Sequence, residues 1–207
     1  MLNDQDTRER ARLASLSLPH AGDWLCCAPI KTLGLHLRPP EFILAVKYRL
    51  GLPIYTSQGP CPACLRLSDV KGDHALCCGV GSERIARHNA LRDAIFLTAA
   101  NAALGPVKEG RFLLAHDRKL RAAQEDCRRQ GLTFVPLAVE ALGGWHPLAE
   151  TQVRKLGSCL ALHSGQDEAE TITFLWRRLS ILLQKGNCAI LGNRTPSFPA
   201  PDIGGVL

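Results

Sequence analysis

Apolar positions fall at helical spacing along several stretches of this chain, and the clearest stripe lies near its carboxy end. Ile172, Leu175, Trp176, Leu179, Leu182 and Leu183 recur every three or four residues and predict a helix over about 166–185, with Arg177, Arg178 and Lys185 opposite. A second helix is expected over about 147–162, with Gly144, Gly165 and Gly186 as punctuation. Upstream, Ser82 stands where a cap belongs, and Ala86, Ala90, Ala94 and Leu97 predict a helix from there to Leu104 with a small, close-packed face. Arg84, His88 and Arg92 share the opposite side. A charged helix is expected over Asp4–Leu16, and a short one from Pro40 to Leu50, stopped by Gly51 and Pro53. Strand signals are few: Phe112 to Leu114, and Thr133 to Val139 with Pro136 marking an edge or bulge. Between them a charged helix is expected from Asp117 to about Gln130. Trp145, Trp176 and Phe174 are the expected aromatic anchors of the carboxy-terminal helices. The pattern reads as an α+β chain, predominantly α-helical.

Composition narrows the class. The 207 residues are 46% hydrophobic and 21% charged, with mean hydropathy −0.01, which excludes a disordered or collagen-like polymer. No apolar run approaches the roughly 18 residues of a membrane span. The first twenty residues carry no apolar signal core, so an intracellular protein of cytoplasm or nucleus is expected rather than a secreted one. Nine cysteines in such a compartment point to free thiols or metal ligation rather than disulfides. The net charge of +6 divides into +2 over residues 1–81, +4 over 82–130 and 0 over 131–207. A basic centre is compatible with a nucleic-acid partner.

Residues 58–81 are rich in Cys, Gly and Pro and have no period. They contain the strongest chemical signal in the chain, Cys61-Pro-Ala-Cys64 followed by His74 and Cys78. Two thiols at i and i+3 can face one centre from a tight turn, and an imidazole with a third thiol about ten residues later completes a tetrahedron suited to structural Zn²⁺. Cys77 is a rival fourth ligand, and a redox-active thiol pair is the competing chemistry. The segment offers few apolar residues to bury, so metal is expected to hold it together. Cys26, Cys27, Cys127, Cys159 and Cys188 are scattered and read as core or bystander residues. Immediately after this unit, Arg84, Arg87, His88 and Arg92 occupy the first turns of the expected helix, where they could contact DNA or RNA phosphates. Pairing with Glu83 and Asp93 is the alternative use of the same charges.

The combination of Cys61-x2-Cys64, His74-x3-Cys78 and the run Arg87-His88-Asn89 to Arg92-Asp93 resembles the carboxy-terminal region of non-LTR retrotransposon polyproteins. There a zinc knuckle follows the reverse transcriptase and leads into a restriction-enzyme-like endonuclease of the PD-(D/E)xK type. The resemblance covers about residues 20–195, and the chain is expected to divide into an amino-terminal helical or linker part (1–57), the knuckle (58–81), a degenerate endonuclease-like α/β remnant (82–195) and a Pro/Gly-rich tail (196–207). By order, Glu109 stands where such a nuclease places its upstream acid, and Lys119 where its basic helix follows. The acidic pair that would hold Mg²⁺ between them is missing, because only Ala115 and His116 separate Leu114 from Asp117. The expected function is therefore zinc-dependent nucleic-acid binding with catalysis lost. A zinc-stapled protein-interaction scaffold or a decayed reading frame is the alternative, ahead of a surviving Mg²⁺-dependent endonuclease.

Overall fold

The computed structural model describes residues 4–104, 125–129, 131 and 138–196. Six helices carry the described fold: α1 (Asp4–Leu16), α2 (Pro39–Arg49), α3 (Asp73–Cys77), α4 (Glu83–Asn101), α5 (Pro147–Ser164) and α6 (Glu168–Asn193). A two-stranded antiparallel ribbon, β1 (Gly59–Pro60) and β2 (Leu67–Ser68), pairs Gly59 with Ser68 and Pro60 with Leu67. The fold is thus α+β and predominantly helical, as its apolar periodicity implies. No helix among the described residues is long and apolar enough to cross a membrane.

α6 is the element on which α2, α3, α4 and α5 converge. Asp167 caps it, accepting from the Glu170 amide at 2.8 Å. Its stripe of Leu175, Trp176, Leu179 and Leu183 is buried against Leu91 and Ala94 of α4 and against Ala149, Val153 and Leu156 of α5. A second surface, Ile181 and Cys188, meets Trp24 and Ala45 from the amino-terminal third. A third, Ile190 and Leu191, meets Tyr55, Ala75 and Leu76. Burying one such aliphatic side chain stabilises by about 1.5–3 kcal/mol, so a helix buried on three sides links the three apolar clusters of the described residues.

Several expectations are corrected by this arrangement. α6 runs through Gly186 to Asn193 instead of stopping near Lys185. The glycine lies inside the helix because α4 crosses it there: a Cβ at Gly186 would stand 2.4 Å from Arg87 Cγ. The inward face of α4 is Leu91, Ala94 and Thr98, whereas Ala86, Ala90 and Leu97 are exposed. The helical period was legible, but small alanines bury too little area to decide which face turns inward. Ser82 occupies the N-cap position of α4 without capping it through its side chain. Trp145 and Trp176 are buried and meet edge to face at 5.4 Å, while Phe174, the residue before Leu175, lies exposed to the side of the buried stripe. The expected strand Phe112–Leu114 and most of 133–139 lie outside the described residues. Val139, at the end of that second segment, forms an isolated bridge with Trp145.

Polar contacts fasten the amino-terminal third to the bundle. His20 stacks on Trp176 with ring centroids 3.8 Å apart, the Trp24 amide donates to Ser180 Oγ at 3.1 Å, and Tyr55 Oη donates to the Leu191 carbonyl at 2.9 Å. Buried Asn187 accepts from Arg87 Nη1 at 2.6 Å and donates to the Ala141 carbonyl at 2.7 Å.

The crossing at Gly186 makes a signed prediction. Helix propensity alone would have Gly186→Ala stabilise by about 1 kcal/mol, but forcing a methyl into a packed contact costs about 1–3 kcal/mol. A lower melting temperature is expected, with a smaller loss when the same change is made in an Arg87→Ala background. A rise in melting temperature in the wild-type background would show that the helices do not approach so closely.

Candidate metal centre

The four candidate ligands sit on two short pieces of chain that local hydrogen bonds fold toward each other. Between β1 and β2 the chain reverses tightly: the Cys61 amide donates to the Arg66 carbonyl, and the Leu65 amide to the Cys61 carbonyl, both at 2.8 Å. Leu65 takes a positive φ of 61° to complete the turn. This reversal presents Cys61 and Cys64 to one side. The second piece is α3, which has His74 in its first turn and Cys78 directly after its last, with the Cys78 amide donating to the His74 carbonyl at 2.7 Å.

Asp69 organises the start of α3. Its carboxylate accepts from the amides of Lys71 (2.9 Å), Asp73 (3.2 Å) and His74 (2.7 Å), the last two being first-turn amides that a helix start would otherwise leave unpaired. Burial opposes the charged form of Asp69, but these three donors outweigh it and hold the carboxyl below its usual range. Its stabilising contribution is therefore complete at neutral pH and is lost as pH falls through the folded-state value.

Together these elements bring Cys61, Cys64, His74 and Cys78 into one cluster, with the ligand atoms all within 4.8 Å of one another. Cys61 and Cys78 are buried; Cys64 and His74 are half-buried. Cys64 Sγ lies 3.2 Å from His74 Nε2. Bonds of about 2.3 Å to sulfur and 2.0 Å to nitrogen in a tetrahedron require ligand separations of about 3.5–3.8 Å, so sub-ångström adjustments fit these four atoms around a zinc-sized ion. Cys77 stands apart, exposed to solvent, so Cys78 rather than its neighbour supplies the third thiol.

The electrostatics suit cation binding. Burial works against ionising Cys61, yet amide donation from Ala63 and Cys64, with contributions from His74 and Arg194, lowers its pKa to about 6. At Cys64 the Arg66 amide favours the thiolate, but desolvation and the neighbouring thiols Cys78 and Cys61 prevail and push its pKa up. One thiolate is readily formed and the next resists, a conflict that a divalent cation removes.

The segment has more core than its composition implies. Ala75 and Leu76 of α3 are buried against Tyr55, Ile190 and Leu191, so the knuckle is docked on α6 as well as gathered around its ligands. Two contributors escaped sequence reasoning. Arg194 follows α6, and its Nη1 lies 3.2 Å from Cys78 Sγ, across 116 residues of sequence, a separation at which no local pattern exists. Arg8 of α1 forms a bidentate pair with Asp73, which Tyr48 Oη also contacts at 3.2 Å.

The cationic residues expected to face phosphates are largely engaged within the molecule. Arg84 Nη1 donates to the Cys77 carbonyl at 2.9 Å, Arg87 turns inward to Asn187, and Arg92 pairs with Asp93 at 2.9 Å. Burial, then the nearby Arg92 charge, lowers the pKa of His88 despite Asp93. Glu109 and Lys119 lie outside the described residues. Comparison of the chain with protein-family models, with curated proteins and with solved structures finds no match in any of the three.

Two substitutions separate the ligand from its neighbour. Cys77→Ser is expected to leave bound metal per chain unchanged, and Cys78→Ser to abolish stoichiometric retention after desalting, measured by elemental analysis; the reverse order would contradict the cluster. Removing the acceptor of the Lys71, Asp73 and His74 amides with Asp69→Ala should cost about 1–3 kcal/mol of stability, read from denaturant midpoints.

Proposed function

We propose that this chain is a zinc-stapled nucleic-acid-binding protein in which the metal is structural and no catalytic step is performed. The observation that carries the reading is the closed Cys61, Cys64, His74, Cys78 set. Four protein donors leave no position for water or substrate, which is the arrangement of a structural rather than a catalytic zinc site. Zn²⁺ is the preferred ion because three sulfur donors and one imidazole suit a soft, tetrahedral centre and disfavour Mg²⁺.

The nucleic-acid part of the reading is supported by the charge of +6 and pI near 9.0, and by the resemblance to the knuckle-containing end of retrotransposon polyproteins. Arg84, Arg87 and Arg92 are engaged by the fold, and further cations lie elsewhere in the sequence. Residues 105–124 hold Lys108, Arg111, Arg118, Lys119 and Arg121 against Glu109 and Asp117, and Arg66 is exposed at the tip of the knuckle. A chain that neutralises several phosphates releases counterions, so binding must weaken steeply with salt. The second reading, a zinc-stapled scaffold for protein partners, is favoured by the apolar knuckle tip, where Leu65 and Leu67 are 79% and 68% exposed.

The deciding measurement is fluorescence anisotropy of the zinc-loaded chain with single- and double-stranded DNA and RNA of unrelated sequence, between about 50 and 200 mM salt. A linear fall of log affinity with log salt, together with intact plasmid in Mg²⁺ and Mn²⁺, is expected. Absence of binding at the lowest salt, or binding indifferent to salt, would overturn the nucleic-acid reading and leave the scaffold. Metal-dependent nicking abolished by Glu109→Gln would restore the nuclease.

A further inference from the structure

We propose that Arg194 is a positioning residue of the metal centre, holding two of its thiolates in place and balancing its charge from the far end of α6. The inference rests on the reading of the cluster as a zinc site and extends it to a residue far outside the knuckle. The Arg194 side chain is almost wholly buried. Nη1 points between Cys78 Sγ at 3.2 Å and Cys61 Sγ at 3.9 Å. Nη2 donates to the Val80 carbonyl and to Glu83 Oε2, the latter at 2.7 Å. One guanidinium thus reaches the turn after β1, the chain leaving α3 and the first turn of α4.

Charge explains why a buried arginine is tolerated there. Three thiolates and a neutral imidazole around Zn²⁺ leave a net negative centre, and Glu83 adds another negative charge beside it. A buried charge without a counterpart is costly, and a guanidinium supplies both the opposite charge and N–H donors for sulfur. The fork geometry matters as much as the charge, since an ammonium is a compact point charge without planar donors to span these acceptors. The chain also leaves space for the arrangement: Gly81 has φ +98°, and a Cβ there would stand 2.3 Å from Arg194 Nη2 and 2.5 Å from Glu83 Oε2. Groups that hydrogen-bond metal ligands from outside typically govern affinity by about 10–100-fold.

The test uses the full chain loaded with Co²⁺ as a spectroscopic stand-in for Zn²⁺. In Arg194→Gln, affinity from chelator competition should fall by about 10–100-fold, the thiolate-to-cobalt charge-transfer band should shift, and chelator-driven metal release should quicken. Arg194→Lys, which retains charge without the fork, should fall between Arg194→Gln and wild type; it serves as the test variant if the glutamine chain does not fold. Leu179→Ala, which weakens the core away from the site, should lower thermal stability without moving the band. Unchanged affinity and spectrum in both Arg194 variants while wild type binds tightly would overturn the proposal. Failure of the wild-type chain to bind Co²⁺ or Zn²⁺ with thiolate ligation would instead overturn the zinc reading on which it rests.

Discussion

Three thiols and one imidazole with ligand atoms inside a span of 4.8 Å form a constraint that the rest of this molecule accommodates. Thiolates this close repel one another, and partial burial removes the water that would screen them. A divalent cation resolves the conflict by replacing mutual repulsion with four bonds, and coordination then becomes part of folding free energy. The local backbone is arranged for that outcome. A tight reversal aims Cys61 and Cys64, and the Asp69 carboxylate starts the short helix that places His74 and Cys78.

The cluster would be an isolated bead without α6. Ile190 and Leu191 receive Ala75 and Leu76 from the knuckle, and Arg194 reaches back from the helix end to the sulfur atoms. The same helix carries the three-helix core with α4 and α5, and it anchors Trp24 through Ser180. A metal held at this cluster would therefore be joined to the hydrophobic core through one helix, so a loss at the four side chains is expected to be felt where the amino-terminal third packs.

Much of this organisation was legible because the signals were local. The stripe from Ile172 to Leu183 marked the face of α6 that meets α4 and α5 but not the face of Ile181 and Cys188, on the side of Arg177, which is buried against Trp24 and Ala45; the charged pattern over Asp4–Leu16 marked α1. The ligand spacing identified the candidate centre, since i, i+3 thiols in a Gly/Pro-rich stretch have few other uses. What escaped was decided by tertiary contact. Gly186 looks like a helix stop until Arg87 of α4 is seen against it. Arg87 reads as a surface cation until Asn187 is found beneath it. The inward face of α4 could not be read from alanines that favour neither side. Arg194 carried no sequence signal, being one arginine in a Gly-Asn-Arg-Thr-Pro stretch.

The central claim concerns the atoms that surround the ion, and X-ray absorption at the zinc edge of the purified, zinc-loaded chain addresses it most directly. The account predicts a first shell of three sulfurs at about 2.3 Å and one nitrogen at about 2.0–2.1 Å, with no oxygen ligand. A shell dominated by oxygen or nitrogen, or fewer than three sulfurs at bonding distance, would contradict it.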